Sequence, residues 1–112
     1  MAAVPAHYDG LYSGLVCYAD GRVDPAHCYR AQGSVSQGKI SGQWPGREPG
    51  ITMILTGDVL PSGEVKIEMR ARTAVGLPVA IINLSGAIRD GRLDATGSFV
   101  TGRAASMNWR KN

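Results

Sequence analysis

The sequence predicts an all-β domain of about eight short antiparallel strands in an up-and-down meander, closed as a small barrel. Three observations carry that expectation. Apolar and polar residues alternate with a period of two through most of the chain. No stretch of about eleven or more residues free of Gly and Pro has the i, i+3, i+4, i+7 apolar spacing of an amphipathic helix. Fifteen glycines and six prolines, against a single Phe, supply turns between the alternating runs. A two-sheet sandwich is the alternative. The barrel is preferred because closure removes both edge strands, which a flat sheet of the same strands would expose. A chain of 112 residues holds one domain, 1–112, with 1–8 expected as a flexible N-terminal segment.

In chain order, the strands are expected near 11–18, 27–36, 38–44, 51–60, 63–73, 78–88, 91–99 and 104–110. The first two are joined by a segment containing Asp20, Gly21, Asp24 and Pro25, all turn formers. With that hairpin centred between Arg22 and Val23, Cys17 and Cys28 are directly opposed on neighbouring strands, close enough for a disulfide. Two buried reduced thiols are the rival reading. Gln37-Gly38 and Asp90-Gly91 each follow an aliphatic strand and carry the two-residue hairpin signal, because a type I′ turn needs positive φ at both central positions. Pro61-Ser62-Gly63 suits a slightly longer turn.

Gly33 to Ile40 and Gly86 to Leu93 share the frame Gly-x-aliphatic-x-x-Gly-x-aliphatic, and Gly57 to Val65 repeats it with one extra residue. Turn chemistry alone would produce the repeat, and ancestral duplication is the alternative reading. Val65, Ile67, Met69 and Ala71 alternate with Lys66, Glu68, Arg70 and Arg72, so one face meets a core and the other meets water. Runs 51–56 and 79–84 are more apolar and are expected to be central or covered. At the C-terminal end Ala105, Met107 and Trp109 alternate with polar residues, which sends Trp109 into the core. The longest connections, 43–50 and 73–78, are expected at open ends of the barrel, where binding loops sit.

Tyr8-Asp9-Gly10-Leu11-Tyr12, Cys17, Leu84-Ser85-Gly86, Asp90-Gly91-Arg92-Leu93, Thr96-Gly97-Ser98 and Trp109-Arg110 together form an outline. The chain in this respect resembles a group of small secreted or periplasmic bacterial β-meander proteins, largely of unassigned function. The resemblance implies fold and compartment more than activity. A late Cys near the final strand would be expected from it, and Ala104-Ala105 stand there instead, so no disulfide pairing carries over. Avidin-like barrels share the meander and a terminal Trp strand, but only Trp44 and Trp109 are present here. The start Ala2-Ala3-Val4-Pro5 resembles that of a mature secreted protein whose leader has been removed and an initiator Met added, again pointing to a periplasmic or secreted location.

Charge and motifs narrow the function classes. Twelve Lys and Arg against nine Asp and Glu give a net charge of +3, spread along the chain rather than clustered with aromatic residues, so nucleic-acid binding is not expected. No apolar run reaches the roughly 20 residues of a membrane helix. Cys17, Cys28, His7 and His27 lack metal-ligand spacing, and no metal or other cofactor is expected. Ser13, Ser41 and Ser62 precede glycines in turn-like settings without a nucleophile frame, and Asp58, Glu64 and Glu68 read as surface carboxylates rather than a paired acid and base. The sequence therefore argues against an enzyme and names no catalytic residue.

What it does favour is a binding module for a small apolar or glycan ligand, with Trp44, Tyr29 and Tyr18 as stacking surfaces and Arg47 as an anion contact. The alternative is a protein-interaction module, an inhibitor or envelope assembly partner, using a strand edge or the arginine-bearing face of 66–72. A small-barrel isomerase or cyclase working in an interior cavity is the remotest reading. Neither the identity of the ligand or partner nor the oligomeric state is legible.

Overall fold

The computed structural model describes residues 5–22, 24–76 and 78–112. Expectations that fall on residues 1–4, on Val23 at the centre of the cysteine loop and on the side chains of Val79 and Ala80 lie outside the described residues. Eight antiparallel strands follow in chain order: β1 Gly10–Tyr18, β2 His27–Ser36, β3 Lys39–Pro45, β4 Thr52–Val59, β5 Glu64–Arg72, β6 Pro78–Arg89, β7 Arg92–Phe99 and β8 Ala104–Lys111. Each pairs with the next, and β1 pairs with β8 from Tyr12↔Lys111 to Tyr18↔Ala105, so the sheet closes as a barrel and not as a sandwich.

Within the segment expected to be flexible, Ala6–Tyr8 form a single 3-10 turn, and Tyr8 packs against the core. The Tyr12 hydroxyl donates to the Tyr8 carbonyl at 2.7 Å and the Lys111 ammonium to the His7 carbonyl at 3.1 Å. These bonds fasten the turn across one end of the barrel.

That end also carries the tight hairpins. Gln37 and Gly38 have φ of 50° and 80°, and Asp90 and Gly91 have 52° and 73°, the paired positive values of a type I′ turn. The opposite end carries the longer connections 19–26, 46–51, 73–77 and 100–103. In a meander this asymmetry follows from parity, since every second connection lies at the same end. Short, twist-matched turns close one end, and the loops gather at the other.

Inward-facing residues fill the lumen. Tyr12, Val16, Leu55, Val65, Met69, Ile82, Leu93, Met107 and Trp109 are all fully buried, Trp109 at 1% exposure. The interior is a packed core, as expected for a small eight-stranded barrel. The 65–72 alternation holds, with Val65, Ile67, Met69 and Ala71 buried. The more apolar runs behave differently from a covered strand, because nothing lies outside a barrel wall. Ile54 and Ile81, their outward aliphatic residues, are only half-buried.

Inward positions are also where several glycines sit, a role the sequence reading did not assign. A Cβ on Gly97 would lie 1.8 Å from the Asn83 carbonyl oxygen, and one on Gly86 1.9 Å from that of Asp94. Gly14, Gly33, Gly42 and Gly57 are likewise pressed against the backbone of an adjacent strand. At these points the wall turns a corner and draws inward, a device small barrels need in order to close.

One seam is incomplete. The β2–β3 ladder comprises Ser34↔Ser41, Val35↔Ile40 and Ser36↔Lys39, whereas β2 pairs with β1 all the way from Gly10↔Val35 to Tyr18↔His27. Continuing the β2–β3 register would set Arg30 against Pro45, which has no N–H to contribute. Toward the loop end, β2 therefore has a ladder on its β1 side alone among the described residues.

Candidate functional site at the loop end

Tyr18, Tyr29, Trp44 and Phe99 gather toward the loop end, whereas Tyr8 and Tyr12 meet at the closed end. Tyr18 at the end of β1, Tyr29 near the start of β2 and Trp44 near the end of β3 alternate in phase with buried Val16, Ala31 and half-buried Gly42, so all three are carried toward the axis. They form a row. Ring centroids are 5.6 Å apart for Tyr18 and Tyr29, 6.2 Å for Tyr29 and Trp44, and 6.1 Å for Trp44 and Trp109 below them. Phe99 of β7 and His27 of β2 join at 5.1 and 5.3 Å from Tyr18. These tilted and edge-on geometries suit the quadrupoles of the rings.

The Tyr18 and Tyr29 hydroxyls share a hydrogen bond of 2.5 Å. Burial pushes the Tyr18 phenol well above the ordinary tyrosine pKa, and neighbouring Tyr29 adds to the effect while Arg103 opposes it. Burial also raises Tyr29, less freely, because the Tyr18 hydroxyl and the Trp44 indole favour its phenolate. Trp44 Nε1 and Trp109 Nε1 are buried and without a hydrogen-bond partner among the described residues. A shallow recess lies beside Trp44, lined by Gln43, Pro45, Gly50, Ile51, Thr52 and Ala74.

Charge sits above the rings. Arg103, in the β7–β8 connection, is 14% exposed at its side chain and lies 5.4 Å above the ring centres of both Tyr18 and Phe99. Its Nε donates to the Ala19 carbonyl at 2.6 Å and its Nη2 reaches the Pro25 carbonyl at 3.4 Å, so it ties the β1–β2 connection to the β7–β8 one. Asp24 in that connection lies 3.7 Å from Arg103 and 3.8 Å from Arg47, whose side chain is 69% exposed.

The residues singled out in the sequence thus separate into two groups. Tyr18, Tyr29 and Trp44 meet in one row. Arg47 stands apart from that row and reaches toward Asp24 at its rim. Arg103, Phe99, His27 and Asp24 belong to the same cluster, a role the sequence reading does not assign them. Meander parity was the available signal, since it places the 100–103 and 19–26 connections beside 46–51.

Cys17 and Cys28 are directly paired across β1 and β2 and form a disulfide with a Cα–Cα distance of 4.0 Å. The bond lies on the outer face, opposite the Tyr18–Tyr29 contact. It is consistent with an oxidising compartment outside the cytoplasm.

Elsewhere the wall carries two shallow grooves, the second more polar than the first. One runs over Gln32, Ser34, Ser41, Gln43 and Thr56, with Leu11 and Ile54 at its sides, and the other over Thr56, Asp58, Lys66, Asn83, Ser85 and Thr96. Both are floored by the inward corner glycines. Asp58 is paired with Lys39 at 2.5 Å and Glu68 with Arg70, so these carboxylates are engaged in surface ion pairs. Among the described residues, no three His, Cys, Asp or Glu side chains group as a metal site, and no helix is long and apolar enough to cross a membrane. Comparison with protein-family models, with curated proteins and with solved structures gives no match for this chain.

Proposed function

We propose that the protein is a non-catalytic binding module, working in the periplasm or outside the cell, that takes a small glycan or flat apolar ligand at the loop end of its barrel. The observation that carries this reading is the convergence of Tyr18, Tyr29 and Trp44 from three strands, beneath four connecting loops and beside a recess at Trp44. A packed lumen directs the reading to the end of the barrel, because a ligand inside would have to displace Trp109 and Met107. Half-buried rings offer an apolar face with polar atoms at the edge, the combination on which a sugar ring or planar ligand stacks.

The test is tryptophan fluorescence titrated with a panel of oligosaccharides and lipids, on the native protein and on Trp44→Phe. A saturable change, weakened tenfold or more in the variant, about 1.4 kcal/mol, supports the reading. Silence across the panel overturns it.

A second reading rests on the β2–β3 seam. The Cys17–Cys28 pair is closely spaced, so it is of the non-hydrogen-bonded kind, and the backbone N–H and C=O groups of Cys28 and Arg30 face the seam. Such an edge accepts an extended peptide by strand addition, which suits a protein-interaction module. Amide protection gained at 28–32 on adding a partner, with no response to glycans, would favour it.

A further inference from the structure

We infer that the loop-end site is selective for acidic saccharides, whose carboxylate takes the place of Asp24 between Arg47 and Arg103. The inference rests on the binding-module reading and adds the ligand's charge and the residues that read it.

Asp24 is a carboxylate held from inside the chain at the centre of an arginine pair. Its oxygens lie 3.8 Å from Arg47 Nη1 and 3.7 Å from Arg103 Nη1, beyond the 2.7–3.2 Å range of directed N–H···O hydrogen bonds. Its side chain is 50% exposed. Charge rather than hydrogen-bond geometry keeps it there, and a long ion pair with a half-exposed carboxylate is only weakly held. Displacing Asp24 therefore costs little.

Arg103 differs from its partner. It is already ordered by two backbone carbonyls and two aromatic rings, so its side-chain entropy is lost before any ligand arrives. A planar guanidinium fixed in this way presents its remaining edge to a carboxylate in the fork geometry that lysine cannot reproduce. Arg47 is more exposed and lies three residues after Trp44, in the connection that leaves β3, so it can close over a ligand that lies on the Trp44 ring. The rings supply a face for the sugar, and the arginine pair supplies the selection for its acid group. A neutral sugar uses the first and leaves Asp24 in place.

The experiment is calorimetric titration with matched neutral and acidic trisaccharides, hexose against hexuronate, in the gluco, galacto and manno series. It uses native protein, Asp24→Asn and Arg47→Ala, with thermal unfolding as a check that each variant folds. For at least one series, native protein should bind the acidic member tenfold or more tighter than the neutral one, with the preference shrinking as salt is raised. Asp24→Asn removes the internal competitor and should tighten acidic binding severalfold, well beyond any change in neutral binding. Arg47→Ala should weaken acidic binding far more than neutral binding and so erase the preference.

Equal binding of both members overturns the selectivity and leaves the binding-module reading standing. Weaker acidic binding in a folded Asp24→Asn overturns the displacement of Asp24. Failure of every trisaccharide to bind overturns the inference and the glycan reading together.

Discussion

At Gly97 a single added methyl group would sit 1.8 Å from the carbonyl oxygen of Asn83. No rotation relieves that clash, because the atom it meets is backbone. Gly97→Ala should therefore cost roughly 1–3 kcal/mol or more, in the range of core overpacking. Gly50 provides the contrast. It has φ of +82° with no atom near its missing Cβ, so Gly50→Ala carries only the conformational cost of about 1–2 kcal/mol. Denaturant midpoints measured side by side will separate the two. A smaller loss at Gly97 than at Gly50 would contradict the corner role. Trp109 is the opposite case, a large side chain at the base of the aromatic row, and Trp109→Ala should cost about 3–5 kcal/mol. The turn glycines were legible because Gln37-Gly38 and Asp90-Gly91 are local signals. The corner glycines were not, although each falls in phase with apolar neighbours, Gly86 between Leu84 and Ile88 for example, which is itself a readable mark.

Among the elements, β2 is the least secured. Its N-terminal half is held by β1 through backbone pairing and the Cys17–Cys28 bond, and its ladder to β3 ends at Ser34↔Ser41. β5 is paired along its length on both sides. Hydrogen exchange should therefore release the amides of 27–32 well before those of 64–71, and uniform protection across the two strands would contradict the open seam. The disulfide closes a short loop, with a sequence separation of 11, so its reduction should lower stability by roughly 2–3 kcal/mol while the barrel remains folded. Unfolding transitions with and without a dithiol reductant will measure this. The opposition of Cys17 to Cys28 was legible from turn composition alone. The seam was not, since it depends on how Pro45 meets a strand that lies apart from it in sequence.

Taken whole, the molecule is a solid barrel with one closed end and one chemically varied end. Its alkaline behaviour follows from this. Tyr12, Tyr18 and Tyr29 all have phenols raised by burial, while the unfolded chain ionises near the ordinary value of about 10. The neutral phenol is favoured in the folded state, so stability is fully present below about pH 10 and is lost as pH rises toward the folded values. Ultraviolet titration at about pH 11 should show fewer than four ionised tyrosines in the native protein and all four after unfolding. Full ionisation in a protein still folded would contradict the burial.

Strand number, order and closure were all legible, because alternation and turn chemistry are local and a meander needs no long-range choice. At the site, the aromatic row was legible as residue types in a loop-rich region. The arginine pair was hidden by distance along the chain, since Arg103 meets Ala19 and Asp24 only once the barrel has closed. Fold and proposed function are thus separated in space: the corner glycines and the packed lumen make the barrel, and the proposed ligand site occupies the loop end.

Amide chemical-shift mapping of the native protein during titration with acidic and neutral oligosaccharides tests that separation most directly. Perturbations should cluster at 18–29, 43–52 and 99–104, with the strand centres and the 3-10 turn at the closed end unmoved. Shifts along the wall grooves or through the lumen, or no shifts with any saccharide, would contradict it.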